Sequence, residues 1–290
     1  MHYATQRASA RGRSTKALIF AAALSIGGFG AATRASAAFP AGPIAAAAVG
    51  QGDFGSIKGR LVWGGDTAPP AKALKEKGAG EKDPTMKDPT VCAAKAAIPD
   101  NKLVVDPKTL GVKYGFAYLV RPKGANPDAV KALVGKKAQV VIDQVNCEFL
   151  PYAVGMHQDQ TLVFKSSDPV NHNIHLSPFD NAPFNQMLGP GGTLEKKLVA
   201  ERRVIQIACD IHPWMKGWVM VFDHPFFAVT DTDGSFEIKG VPAGDFKLVV
   251  WQEATGYVTA GNAAGMPVSV KAGEATDLGA IKLNPAKVKK

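Results

Sequence analysis

From residue 137 to residue 222 the chain repeats one texture, and that repetition constrains the fold more than any other feature. Ala138–Ile142, Thr161–Lys165, His172–Leu176, Thr193–Leu198, Val204–Ala208 and Gly217–Phe222 are short and strand-like, and Gly, Pro, Asn and Asp separate them. Strands at this spacing, with almost no helical periodicity, predict a β-sandwich. A second β pattern follows Asp223-His224-Pro225. Phe226–Thr230 and Ser235–Ile238 flank the turn Asp231-Thr232-Asp233-Gly234, and Phe246–Trp251, Val268–Val270 and Leu278–Leu283 complete the set. The one helical period, a weak one, covers Ala125–Leu133. The expected class is all-β, with a second and smaller sandwich after the first.

The N-terminal third is less regular. Residues 1–37 read as a cleavable secretory signal peptide: Arg7, Arg11, Arg13 and Lys16 precede the apolar run Ala17–Ala32, and Ala35-Ser36-Ala37 is an A-x-A cleavage signal. Sixteen residues with glycine and serine breaks are short for a membrane span. The expected location is therefore periplasmic or secreted, with no transmembrane segment left after cleavage. Residues 38–53 read as a flexible linker and Ser56–Trp63 as a strand. Residues 64–100 read as a long solvated loop, its Lys-rich part 72–87 included. Lys102–Val105 and Gly115–Val120 read as short strands. The expected layout is 54–135 as N-terminal strands and loop, 136–223 as the first sandwich and 224–285 as the second.

Charge narrows the partners. The chain carries 34 Lys and Arg against 25 Asp and Glu, and the leader holds five of the basic residues and no acidic one. The mature chain keeps 29 basic against 25 acidic residues, a net +4, without a dense basic stretch. Nucleic acid is not an expected partner.

Chemistry concentrates in Cys209-Asp-Ile-His212-Pro-Trp-Met215. A thiolate, an imidazole and a thioether at C-x2-H-x2-M spacing match three of the four ligands of a mononuclear blue-copper site, which takes two His and one Cys in a plane with a weak axial Met. Zinc is disfavoured, since a thioether is a poor zinc ligand. The second imidazole must come from elsewhere, and His172-Asn173-Ile174-His175 offers two. On a strand an offset of three points them to opposite faces, so one is expected to ligate, and the pattern does not choose. Cysteine count agrees with a free thiolate. Of Cys92, Cys147 and Cys209 in an oxidising compartment, the economical assignment pairs Cys92 with Cys147 and leaves Cys209 to the metal.

These residues carry a resemblance. The span from about Lys137 to Asp223 resembles the cupredoxins, and among them the amicyanins share the short C-x2-H-P-x-M loop followed by a basic residue and Gly, here Cys209, His212, Pro213, Met215, Lys216 and Gly217. Their H-N-V-H segment is matched by His172-Asn173-Ile174-His175. The resemblance implies a Greek-key sandwich, His172 as the ligand, Asn173 as a brace behind it, and His212 at an exposed edge where electrons pass. The run from Cys209 to Pro225 is also similar to secreted bacterial proteins labelled methylamine-utilisation-like or plastocyanin-like. Val229-Thr230-Asp231, Asp233-Gly234-Ser235-Phe236 and Val241-Pro242-Ala243-Gly244 resemble the carboxypeptidase regulatory-like sandwich, which implies a fold and no chemistry. That family opens with a strand similar to Gly55–Leu61, which leads us to expect residues 55–63 to pair with 226–285.

The expected function is one-electron transfer through a single copper per chain, held by His172, Cys209, His212 and Met215, with a redox partner such as a c-type cytochrome or a periplasmic dehydrogenase. Two other functions compete: copper delivery without redox turnover, and a structural sandwich with a vestigial site. An enzyme is not expected. Multicopper oxidases and nitrite reductases need further histidines in H-x-H pairs, and the mature chain has only His157, His172, His175, His212 and His224. Of these, His157 reads as a surface strand residue and His224 as a hinge between domains. Met187, Met220 and Trp218 read as core, and Trp214 reads as part of an apolar docking patch beside His212.

Overall fold

The computed structural model describes residues 53–123 and 126–289. The expected leader, and the linker up to residue 52, lie outside the described residues. Strand β1 (Phe54–Trp63) is followed by β2 (Ala73–Lys75), the short helix α1 (Ala79–Lys82), β3 (Ile98–Pro99), β4 (Phe116–Leu119) and helix α2 (Pro127–Lys136). Next come β5 (Gln139–Val145), β6 (Glu148–Leu150), β7 (Ala153–His157), β8 (Thr161–Ser166), β9 (His172–Leu176) and β10 (Phe184–Leu188). Then follow β11 (Thr193–Lys196), β12 (Ile205–Ala208) and β13 (Lys216–Phe222). The last group is β14 (Phe227–Val229), β15 (Ser235–Pro242), β16 (Gly244–Gln252), β17 (Gly256–Tyr257), β18 (Met266–Val270) and β19 (Ala275–Leu283). The protein is all-β, with several sheets. Among the described residues no helix is long and apolar enough to cross a membrane.

The first sandwich is built from β5 to β13. One sheet runs β10-β9-β12-β13-β7 and the other β11-β8-β5-β6. Strand alternation makes the core: in β12, Ile205 and Ile207 are buried while Gln206 is exposed. Ile142, Phe149, Met156, Leu162, Phe164, Ile174 and Val219 from both sheets meet in one apolar cluster, and Cys209 and Met215 belong to it.

The second sandwich takes strands from both ends of the described chain. One sheet is β15-β1-β19; the other is β14-β4-β16-β17, with β18 on the free edge of β16. β1 pairs antiparallel with β15 and parallel with β19. Ile57, Leu61, Ala117, Leu119, Phe236, Ile238, Leu248 and Val250 form its core. The turn before β15 shows why its residues were legible. The Gly234 N–H donates to Asp231 O at 2.9 Å with φ at +79°, and a Cβ there would lie 2.1 Å from Leu61 O. Only glycine meets both demands. Between the sandwiches, Phe116, Tyr152, Met220 and Phe222 form an aromatic seam with Trp218 and Trp251 against it. Glu253 accepts hydrogen bonds from Tyr152 and from Trp218 Nε1.

Several expectations need correction. Residues 64–100 are not a solvated loop: they carry β2, α1 and β3, and they bury Met86, Cys92, Ala93 and Ile98 against the first core. The segment is polar in composition, so its few inward residues leave no period to read. β6, β7 and β10 were missed. Pro151 interrupts the pattern between the first two, and β10 is exposed along most of its length. Met187, expected in the core, sits on β10 and is 59% exposed. His157, expected on the surface, is 3% exposed. Its Nδ1 accepts from the Asp159 N–H at 3.2 Å, and its own N–H donates to Gln160 Oε1 at 2.7 Å, so it serves its own turn. Helix α2 begins with Asn126 accepting from the Ala129 N–H at 2.9 Å and ends with Lys136.

Candidate metal centre

β12 delivers Cys209 at its end, and β13 starts at Lys216, so residues 209–215 form a tight loop between two hydrogen-bonded neighbours. The loop is closed by its own backbone: Met215 N–H donates to His212 O at 2.8 Å, and Cys209 N–H to Met215 O at 3.4 Å. Those bonds turn the Cys209, His212 and Met215 side chains into one buried volume, where they are 2%, 0% and 2% exposed. β9 lies on the other side of β12, with Ala208 opposite His175. His172, at the start of β9, is fully buried, while His175 faces outward and its Nδ1 meets Asp210 Oδ1 at 2.9 Å. Strand alternation thus separates the two histidines that sequence alone left equivalent.

Three ligand-type atoms converge. One nitrogen each of His172 and His212 and the Cys209 Sγ all lie within 4.8 Å of one another. The two Nδ1 atoms are 3.0 Å apart, and Cys209 Sγ is 3.7 Å from His212 Nδ1. The far nitrogens are both taken by carboxylates: His172 Nε2 faces Asp168 Oδ2 at 3.0 Å and His212 Nε2 faces Asp88 Oδ2 at 2.9 Å. A carboxylate on Nε2 favours the tautomer with its proton there, which aims the Nδ1 lone pair inward. Two inward lone pairs beside a thiolate form a donor set that suits a cation of borderline to soft character. The residues present therefore fit copper on the chemistry of their donors.

Electrostatics point the same way. Burial pushes the Cys209 thiol up, but the His172 and His212 rings beside it outweigh burial and bring it down to about 6. Burial pulls His172 down, and Asp168 and Cys209 outweigh that, raising it to about 9. Between those values the pair is thiolate beside imidazolium. To hold a metal ion, His172 would have to release that imidazolium proton, because only neutral imidazole ligates. Burial also pushes Asp168 up, yet His172 and the N–H groups of Cys147 and Asn146 hold its carboxyl below the usual range.

Asn173 braces the loop from the adjacent strand. Its Oδ1 accepts from the Asp210 N–H at 2.7 Å and lies 3.3 Å from Cys209 Sγ, and its backbone N–H points at the same sulfur at 3.5 Å. Its Nδ2 donates to Asp210 Oδ2 at 3.0 Å. Cys92 and Cys147 form a disulfide.

One feature differs from expectation. His212 is not at an exposed edge: Asp88, from the segment between β1 and β4, covers its Nε2, and the Trp214 ring packs tilted against it at 5.3 Å between centroids. Trp214 is itself partly buried, its Nε1 is sealed from solvent, and Lys75 Nζ sits 5.1 Å over its ring, so it is no open apolar patch. Sequence reasoning missed Asp88 and Asp168. Asp168 lies four residues before His172, a weak local signal; Asp88 is 124 residues from His212 and left none.

No family model matches the chain, and no curated protein matches it. Among solved structures, the chain is similar to a copper-containing nitrite reductase from Thermus scotoductus SA-01 at 22% identity, over 29% of this chain and 22% of that one, with a TM-score of 0.27. The match thus spans under a quarter of the reductase. A mutant amicyanin in its reduced Cu(I) form at pH 4 matches at 18% identity over 29% of this chain and 82% of that one, with a TM-score of 0.27. A purple cupredoxin from Nitrosopumilus maritimus matches at 26% identity over 30% of this chain and all of that one, with a TM-score of 0.25. At these scores the reading of the centre rests on its own geometry.

Proposed function

We propose that the protein is a periplasmic or secreted type 1 copper protein that passes single electrons, with one copper held by His172, Cys209, His212 and Met215. One observation carries this reading: a Cys209 sulfur and two imidazole Nδ1 atoms converge while both Nε2 atoms are held by carboxylates. Bound copper would supply the one-electron couple. Cys209 provides the thiolate, already favoured at neutral pH by the rings beside it. His172 and His212 would each offer the Nδ1 that faces the sulfur, as their Nε2 atoms are held by Asp168 and Asp88. Met215 places a buried thioether at the end of the loop, where it would serve as a weak fourth ligand that favours neither oxidation state. Asn173 ties the loop to β9 and keeps the sulfur in place. The apolar cluster around Cys209 excludes water, so little solvent reorganises when charge changes.

The electron partner on this reading is another redox protein, such as a c-type cytochrome or a periplasmic dehydrogenase, and the protein itself is not an enzyme. A second reading, copper delivery without redox turnover, is favoured by the enclosure of His212 under Asp88. The visible spectrum of the protein loaded with Cu(II) separates them. An intense thiolate charge-transfer band, lost completely in Cys209→Ser, is the expected result. Binding of Cu(I) alone, without colour, would favour delivery, and absence of any copper binding would leave a structural sandwich.

A further inference from the structure

The two carboxylates on the histidines come from segments far apart in sequence, yet hydrogen bonds tie each aspartate to one end of the same disulfide. Asp88 Oδ2 meets His212 Nε2, and the backbone carbonyl of the same Asp88 accepts from the Cys92 N–H at 2.9 Å. Cys92 is bonded to Cys147. The Cys147 N–H donates to Asp168 Oδ2 at 2.8 Å, and the neighbouring Asn146 N–H donates to Asp168 Oδ1 at 2.7 Å. Asp168 Oδ2 meets His172 Nε2. The path runs from one imidazole to the other without a gap. The disulfide also touches both ends: Cys92 and Cys147 sulfurs lie within 4.8 Å of a His212 nitrogen, and the Cys147 sulfur lies as near to ligating atoms of Asp168 and His172.

Local backbone conformation supports a built device. Asn146 and Cys147 have φ of +54° and +58° in a two-residue connection from β5 to β6, the pattern of a type I′ hairpin turn. Asn suits that conformation; Cys does not, and a β-carbon there costs about 1–2 kcal/mol. The position nevertheless holds a cysteine, which gives Asp168 an N–H and Cys92 a sulfur at once. Asp88 has φ of +50°, which Asp tolerates.

We propose that Asp88, Asp168 and the Cys92–Cys147 disulfide form one clamp that positions both imidazoles, the disulfide being the strut that fixes the two carboxylates relative to each other. Asp88 and Asp168 are positioning residues: they act on the metal through His212 and His172. Because a carboxylate adds negative charge behind each ring, the clamp favours Cu(II) over Cu(I). This inference rests on the copper reading.

The test uses the full mature protein, Cu(II) and Cu(I), and five forms: wild type, Asp88→Ala, Asp88→Asn, Cys92→Ser with Cys147→Ser, and that double variant with Asp88→Ala added. Copper binding with a thiolate band in the wild type is the premise; its absence there overturns that reading, and the clamp with it. Given a copper-binding wild type, Asp88→Ala is expected to lose Cu(II) affinity by about 10–100-fold, the usual loss when a partner of a ligating imidazole is removed. Asp88→Asn keeps an acceptor for Nε2–H and removes only the charge. Its spectrum should stay close to the wild type while its midpoint potential rises, by 59 mV for each tenfold loss of Cu(II) over Cu(I) preference. In the protein without the disulfide, adding Asp88→Ala should change Cu(II) affinity much less than it does in the wild type, because the strut is already gone. Unchanged affinity and potential in both Asp88 variants would overturn the proposal, and so would an Asp88→Ala effect of equal size with and without the disulfide. If the double cysteine variant does not fold, the two Asp88 variants decide alone; Asp88 is exposed enough that neither should unfold the protein.

Discussion

The two sandwiches are assembled from the same kinds of strand and both bury an apolar core, but the first also buries a cluster of ligand-type groups. The second has an apolar core of Ile57, Leu61, Leu119, Phe236 and Leu248. Two of its buried polar side chains are hydrogen-bonded to backbone: Thr230 Oγ1 donates to Val112 O at 2.7 Å, and Gln252 Nε2 to Lys102 O at 2.8 Å. The first buries His172, His212, Asn173, Asp168, Gln144 and Ser166 at or near the site end. Burying polar and charged groups opposes folding unless each finds a partner. The first sandwich draws Asp88 and Cys92 from an added segment, residues 64–100, which gives His212 Nε2 and Cys147 their partners. One core is organised for stability, the other for a site.

Removing the added restraint gives the largest expected effect. The Cys92–Cys147 bond closes a loop of 55 residues, and on loop entropy its loss should destabilise the protein by about 4 kcal/mol, read from denaturant midpoints of Cys92→Ser with Cys147→Ser. A loss below 1 kcal/mol would mean the segment holds its place without the bond. Next in size, Leu61→Ala in the second core should cost about 3 kcal/mol. Its copper affinity should match the wild type; a parallel loss of affinity would show that the cores are coupled and break the contrast. The smallest effect concerns the junction. Burial lowers His224 from 6.5 to about 4. The folded protein thus keeps His224 neutral where the unfolded chain takes a proton, so stability falls as pH drops from about 6.5 towards about 4 and does not depend on this residue above that range. Allowing for its partial solvation, the loss is about 2 kcal/mol. His224→Gln should flatten that part of the stability-against-pH curve, and an unchanged curve would remove His224 from the account.

How much of this was legible follows from locality. The loop Cys209–Met215 was readable because three donors sit within one turn between two strands, and the strand period separated His172 from His175 once the structure showed which face is inner. The turn at Asp231–Gly234 was readable because it needs glycine. The cover over His212 was not, since its recognition depends on a carboxylate 124 residues away and on a disulfide that spans 55 residues, both reached from a segment of Lys, Asp and Pro. The exposure of Met187 was misread because a thioether carries no sign of which face of β10 it occupies.

The pairing of β1 with both β15 and β19 sets an order of events. A chain made from its N-terminus presents β1 long before either partner exists, because Ser235 and Ala275 follow it by well over a hundred residues. The strands from Gln139 to Phe222 have their partners close at hand and complete a sandwich first, as short-range contacts form fastest. Until β15 emerges, β1 keeps two unpaired edges, and until β19 emerges it keeps one, the kind of surface that draws other chains into aggregates. A chain lacking residues beyond 270 would retain every ligand of the proposed centre and yet leave that first strand permanently without its parallel neighbour.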